Sequence, residues 1–318
     1  ATRRYTHDCF KIHVTPPGHP ERVDRLVALE TTLDDPAFDD LKRLQAPAGD
    51  LAHFARVHPD DFVSAITQAC ETVAEAGQEK PETFAAIDAD TTISPGTGTA
   101  MEHLIGALTD GVDGVFSGAC NNAFIAARPP GHHAEKSTAM GFCFFNGIAA
   151  AARYAQATHG AERIAIVDFD VHHGNGTQDI FWDDPSVMFL STHQMPLFPG
   201  SGALREEGQH GTIVNAPLRH GDMGAEFKAA IRQRILPNLD DFRPDLILIS
   251  AGFDAHHQDP LGGLRLTEED FDWVTAEILD RADRYADGRL VSVLEGGYDL
   301  EGLAKSAAAH IERLMTAG

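Results

Sequence analysis

Residues 163–177 read RIAIVDFDVHHGNGT: a run of aliphatics ends in two aspartates and two histidines, then passes into glycine. The apolar part, Ile164 to Val167, predicts a short strand buried on both faces, as in the interior of a parallel sheet. If the extended backbone continues, Asp168, Asp170 and His172 lie two apart and share one face, because side chains alternate along a strand. Two carboxylates and an imidazole converging at the end of a buried strand repel and desolvate one another. Something positive has to stand between them.

The same arrangement recurs outward from this stretch. NAFIAA is followed by RPPGHHAE, DLILIS by AGFDAHHQDP, and RLVSVL by EGGYD; VMFLST is a further strand-like run. Between them lie helix-like segments: 19–33, with a proline near its start; 58–77, closed by Gly77; 144–160, closed by Gly160; 225–239; 267–288, opened by Thr267 as N-cap; and 300–315. Alternation of this kind predicts an α/β fold, one three-layer α/β/α domain over residues 1–318 with a mainly parallel central sheet. Polar and ionisable residues gather at the carboxyl ends of strands, where open α/β sheets bind ligands.

Composition narrows the partners. Among 318 residues, 25 are Lys or Arg and 48 are Asp or Glu, a formal net charge of −23. Phosphate binding needs basic patches, so direct nucleic-acid recognition is not expected, whereas cationic substrates are favoured. Cys9, Cys70, Cys120 and Cys143 form no C-x-x-C pair, which predicts a reducing compartment and no cysteine-built zinc site. With no apolar leader in ATRRYTHDCF and no run of 18 apolar residues, the expected location is the cytoplasm and no membrane is implied. Oligomeric state is not legible.

Asp170, His172 and Asp254, the last from a different strand end, are candidate metal ligands. Carboxylate and imidazole without thiolate suit zinc, iron(II) or cobalt(II), and three protein ligands leave a position for water. An isolated D-x-D-x-H also fits a loop whose acids cap backbone amides; its company at other strand ends favours the metal. His132 and His133 follow a Pro-Pro-Gly turn and offer a general base, with Asp168 free to hold a histidine tautomer. Tyr298, after two glycines, is either a buried turn residue or a phenol donating to an oxyanion. Metal, base and oxyanion donor together describe water attacking an acyl carbon.

These residues resemble the histone deacetylase and acetylpolyamine amidohydrolase family, with its arginase-like fold. The likeness runs through THDCFKIHVTPPGHPERVDRL, RPPGHHAE, GFCFFNGIAAAA, VDFDVHHGNGTQ, STHQMPLFPGSG, SAGFDAHHQDPLGG and LEGGYDL, and a bacterial zinc enzyme of the class II type is the nearest match. It implies Asp170, His172 and Asp254 as zinc ligands, Tyr298 as carbonyl polariser, His133 as base and then acid, and His132 as its electrostatic support, paired with Asp168. Phe142 and Phe198 would wall a tunnel along which Gly141 lies, and Asp90 would hold substrate at the rim. The resemblance further implies a structural potassium ion beside Asp168, Asp170, His172, Ser191 and Thr192, and a second monovalent site near Phe181, Asp184 and Val187. Asn175 resembles the class II branch. Leu261 stands where the polyamine-specific branch carries a glutamate, which tilts the expected substrate towards acetyl-lysine, with small acetylated amines as the alternative. A catalytically dead acyl-lysine reader would typically lose a ligand, the tyrosine or a histidine, and this chain keeps all of them. An arginase-like ureohydrolase needs a second D-x-D pair where FDAHH stands. A haloacid-dehalogenase-type phosphatase leaves His132, His133 and Tyr298 without roles.

Overall fold

A computed structural model describes residues 1–317. Eight strands, β1 (Thr2–Thr6), β2 (Lys42–Gln45), β3 (Asn122–Ile125), β4 (Ile164–Asp168), β5 (Val187–Gln194), β6 (Ile213–Leu218), β7 (Leu246–Ala251) and β8 (Leu290–Leu294), form one sheet in the order β2-β1-β3-β8-β7-β4-β5-β6. Every pairing in it is parallel. The four central strands β3, β4, β7 and β8 are buried along their whole length, which is why they are apolar on both faces. Edge strand β2, KRLQ, is largely exposed and charged, and charge discourages pairing with another chain.

Ten α-helices accompany the sheet: α1 (Cys9–Ile12), α2 (Asp24–Leu33), α3 (Asp60–Glu79), α4 (Thr97–Phe116), α5 (Gly147–His159), α6 (Asn175–Phe181), α7 (Gly224–Ala230), α8 (Leu236–Phe242), α9 (Glu268–Tyr285) and α10 (Leu300–Met315). Alternation along the strands sorts them into layers. Phe124 of β3 and Ser292 of β8 face His310 of α10. Their neighbours Ala123 and Val291 face Gly111 of α4. Helices α2 and α9 pack against α10, and α5 packs against α4, so helices cover both faces of the sheet.

Helix boundaries depart from expectation in three places. The segment from His19 becomes helical only at Asp24, because Glu21 turns inward to an arginine pair described below. Gly77 does not end α3, which runs on to Glu79; a Cβ at 77 would lie 2.4 Å from Pro95 Cγ, so this glycine answers to packing. The 225–239 segment is interrupted by a π turn at Ile231–Ile235, just before Pro237. Gly160 does close α5, with φ +68°, and Thr267 caps α9 in a reciprocal pair with Asp270. Strands β1, β2 and β6 and the long helix α4 carry weaker patterns and were not expected.

Strands β1–β3 extend the sheet to one side and β4–β6 to the other, with β7 and β8 inserted between. The loops after β3, β4, β7 and β8 therefore meet over the middle of the sheet, at its carboxyl edge.

Candidate active site

Beyond Asp168 the chain leaves the strand. Asp168 Oδ1 turns back to accept the Asp170 N–H at 3.0 Å, and Asp170 Oδ1 accepts the His172 N–H at 2.9 Å. This corrects the picture of three side chains on one strand face. Asp168 points to His132, while Asp170 and His172 meet Asp254 from the loop after β7.

His172 Nδ1 lies 3.2 Å from Asp170 Oδ1 and 3.0 Å from Asp254 Oδ2, all three residues being buried. Four ligands around zinc at ordinary bond lengths stand about 3.3 Å apart, close to the two separations measured from His172 Nδ1. Spare carboxylate oxygens are held by backbone: Val171 N–H donates to Asp254 Oδ1 and Gly296 N–H to Asp170 Oδ2, both at 2.8 Å. Burial, reinforced by the charge of Asp170, pushes Asp254 up to about 7. Burial also opposes a charge on His172, but hydrogen bonds to Asp170 and Asp254 outweigh it and raise the imidazole to about 10. Two acids that hold a buried imidazole protonated that far carry an excess of negative charge, and a divalent cation fits it.

His132 and His133 project from the turn after β3, and their rings are 4.1 Å apart. Burial disfavours a charge on His132, yet Asp168, Asp170 and Glu295 outweigh it and hold the imidazole well above its ordinary value. Its Nδ1 lies 2.9 Å from Asp168 Oδ2. His133 differs: burial, then the neighbouring His132 and His172, hold it well below the ordinary value, so it is neutral at pH 7. Its tautomer follows from Asn175, whose Nδ2 donates to Glu135 Oε1 at 2.7 Å and so turns Oδ1 towards His133 Nδ1 at 2.8 Å. His133 Nδ1 is thus the donor, and Nε2 presents a lone pair.

Tyr298 follows β8. Asp259 accepts its backbone N–H at 2.7 Å and those of Asp299 and Leu261, which ties the tyrosine loop to the 252–263 loop. The Arg25 guanidinium lies 4.9 Å from the centre of the Tyr298 ring and donates to the carbonyls of Glu295 and Gly297. Arg25 and Arg128 share the fully buried carboxylate of Glu21. Glu295 Oε2 accepts the N–H groups of Gly131 and His132, fixing the histidine turn, and burial raises its carboxyl to about 6. None of Glu21, Arg25, Arg128, Asp259 and Glu295 was picked out as a functional position in the sequence. The available signal was charge inside otherwise apolar or motif-bearing segments, as in HPERVDR, which is costly to bury without a partner.

A cavity of about 400 Å³ leads down to these groups. Phe142 and Phe198 line it: Phe142 meets Tyr298 edge-on at 5.9 Å and Phe198 meets His133 edge-on at 5.1 Å. Gly141, at φ +57°, passes so close to His133 that a Cβ would lie 2.6 Å from the ring. Leu261, Asp90 and His19 complete the mouth, where the Asp90 carbonyl takes His19 Nε2 at 2.9 Å. His133, His172 and Tyr298 line this cavity with the five substrate candidates, while Asp170 and Asp254 contact His172, and His132, paired with Asp168, lies against His133.

Of the monovalent candidates, Asp168, Asp170 and His172 belong to the site just described, and the others lie beside it or further along the chain. Asp168 pairs with Ser191 across β4 and β5, and the adjacent Thr192 hydroxyl is buried without a protein partner. Phe181 O accepts the Asp184 N–H at 3.2 Å, and Asp184 O accepts the Thr212 hydroxyl at 3.0 Å. Val187 opens β5 nearby.

Buried acids, histidines and a tyrosine thus gather beneath an apolar cavity at the carboxyl edge of the parallel sheet. The chain belongs to the histone deacetylase family: the family described as Histone deacetylase domain matches residues 19–314. It is similar to the histone deacetylase-like amidohydrolase of Pseudomonas aeruginosa, 36% identical over 309 residues, which are 95% of this chain and 79% of that protein. A probable deacetylase of Archaeoglobus fulgidus is 36% identical over 302 residues, 93% of this chain and 81% of that one. Among solved structures, the crystal structure of the HDA15 HD domain superposes with a TM-score of 0.90 at 33% identity, covering 100% of this chain and 89% of that chain.

Proposed function

We propose that this protein is a zinc-dependent lysine deacetylase that hydrolyses the amide of N6-acetyl-lysine in a protein or peptide. The observation that carries the reading is the convergence of Asp170, His172 and Asp254 with His133 Nε2 and Tyr298 at the foot of one apolar tunnel. Asp170, His172 and Asp254 would hold the zinc. When bound, it would supply Lewis-acid polarisation of the acyl carbonyl and lower the pKa of the attacking water.

The chain's own groups supply the rest. Neutral His133 takes the water proton at Nε2 and later returns it to the departing amine. His132, held cationic against Asp168, biases the neighbouring ring to stay neutral until that transfer. The Tyr298 hydroxyl donates to the oxygen on which negative charge develops. Phe142 and Phe198 clasp the alkyl chain and exclude bulk water, and Asp90 at the rim accepts from the substrate backbone. Leu261 at the mouth offers no charge to a second ammonium group, which favours acetyl-lysine over acetylpolyamines.

Iron(II) is the alternative native metal, since oxygen and nitrogen ligands accept both. A structural potassium ion is proposed at the carbonyls of Asp168, Asp170, His172, Ser191 and Thr192, where the unpartnered Thr192 hydroxyl supports it. A second is proposed near Phe181, Asp184 and Val187. The continuous eight-stranded sheet supports one domain over residues 1–318, and four free cysteines suit the cytoplasm.

The test is turnover of a paired panel, acetyl-lysine peptide against acetylputrescine and acetylspermidine, by zinc-loaded protein. Faster peptide turnover is expected. Preference for the polyamines would overturn the substrate, and inertness towards all three with zinc bound would favour an acyl-lysine binding module.

One glycine tests the metal directly. A Cβ on Gly296 would lie 2.2 Å from Asp254 Oδ2, which faces His172 Nδ1, and 2.5 Å from Asp170 Oδ2, which the Gly296 N–H holds in place. Gly296→Ala is expected to weaken zinc binding by about 10–100-fold, the usual loss when ligand orientation is disturbed. Titration of the metal-free protein with zinc, followed calorimetrically, reads the change; an unaltered affinity would place the ion elsewhere.

A further inference from the structure

The chain's first turn carries a second cluster of metal-competent side chains. His7 follows β1, Cys9 opens α1, and His103 lies on α4; a ligand-capable atom of each falls within 4.8 Å of the others. None of the three lines the catalytic cavity. Cys9 is buried and both histidines are half-buried, so the cluster stands just below the surface. The imidazoles are stacked, with centroids 4.0 Å apart and planes 24° from parallel.

Hydrogen bonds decide which lone pairs those are. His103 Nδ1 lies 2.7 Å from the carbonyl oxygen of Ala46, which can only accept, so Nδ1 carries the proton and Nε2 is left basic. An imidazole oriented through one nitrogen by a backbone carbonyl, with the other nitrogen free, is how proteins prepare a histidine for a metal. His7 Nδ1 accepts the Cys9 backbone N–H at 3.1 Å, so its lone pair already faces Cys9. Binding exchanges that hydrogen bond for a metal bond.

We propose that His7, Cys9 and His103 form a second zinc site, its fourth position left to water, that joins the end of β1 and the start of α1 to α4. Two imidazoles and a thiolate are a set that zinc accepts readily, and the thiolate distinguishes this site from the all-oxygen-and-nitrogen catalytic triangle. On binding, the Cys9 S–H bond breaks, its electron pair forms the sulfur–metal bond, and the proton leaves to solvent. The absence of any C-x-x-C spacing had argued against a cysteine-containing site. The proposed site instead draws on residues 94 positions apart along the chain, from Cys9 to His103, which no local spacing would display.

Cobalt(II) tests the assignment without reference to activity. A thiolate–cobalt bond gives a near-ultraviolet charge-transfer band that ligation by Asp170, His172 and Asp254 cannot produce. Metal-free full-length protein is expected to take up two equivalents of cobalt(II), with this band present. Cys9→Ser and His103→Ala should each bind one equivalent and lose the band, while Asp170→Ala should lose one equivalent and keep it. Folding of each variant is checked by far-ultraviolet circular dichroism, and the wild-type band and stoichiometry stand independently of the variants. A wild-type protein that binds one equivalent without the band, or a His103→Ala variant that keeps the band, overturns the site.

Discussion

Tyr298→Phe is expected to lower kcat by about 10²–10³-fold while KM changes little, as removal of an oxyanion donor does. The expectation rests on how the ring is held. Asp259 fixes the Tyr298 backbone, Arg25 lies against one face of the ring, and Phe142 meets it edge-on. None of these contacts uses the phenolic oxygen, so phenylalanine keeps the ring in place and the tunnel keeps its wall. What is lost is one donor, and that donor matters only where charge develops on the acyl oxygen. Ground-state binding, set by Phe142, Phe198 and the rim, should survive. Burial, partly offset by Arg25 and reinforced by Asp254 and Asp170, holds the phenol well above its ordinary value, so it remains a donor across the working pH range. Steady-state kinetics on an acetyl-lysine peptide reads the split. A rise in KM with kcat intact would make Tyr298 a binding residue and remove it from the chemistry.

The same residues show what a sequence displays and what it hides. Central strands were legible because burial on both faces forces unbroken aliphatic runs, and their carboxyl ends were legible because the polarity changes abruptly there. That was sufficient to place Asp170, His172, Asp254, His132, His133 and Tyr298 near one another. The outer strands β1 and β2 lack the signal: RRYT and KRLQ read as charged surface, and only their place beside β3 makes them sheet. Convergence was legible, but direction was not. Asp168 and Asp170 look equivalent in VDFDV, yet one turns to His132 and the other to His172, a choice made by hydrogen bonds that form only when the strand ends. Partners far apart in sequence were the least legible. Glu21 and Arg128, or Glu295 and Gly131, acquire meaning only after folding brings them into contact.

Glu21→Gln is expected to cost about 3–5 kcal/mol of folding stability, the usual consequence of breaking a buried ion pair from one side. Glu21, Arg25 and Arg128 are all fully buried, and the single carboxylate serves two guanidiniums. An amide keeps the shape but leaves both cations without a counter-charge, in a setting where water cannot substitute. The remaining acceptors are carbonyls: those of Glu295 and Gly297 for Arg25, and those of Phe10, His13 and residue 21 itself for Arg128. Dipoles of this kind orient the arginines but do not neutralise them. The pH dependence has a definite sign. Burial alone would raise the Glu21 carboxyl, but Arg128, the His13 hydrogen bond and Arg25 together hold it well below its ordinary value. Its contribution is therefore complete above the unfolded-state value near 4.5 and is lost progressively as pH falls from there to the much lower folded-state value. Urea unfolding of the wild type and Glu21→Gln should differ by a constant amount from pH 5 to 7 and converge only in strong acid. Because Arg25 carries both carbonyls of the Glu295–Gly297 turn and one face of the Tyr298 ring, the surviving folded fraction should also lose kcat. A variant as stable as the wild type, with kcat intact, would mean that the tyrosine loop is held by Asp259 alone.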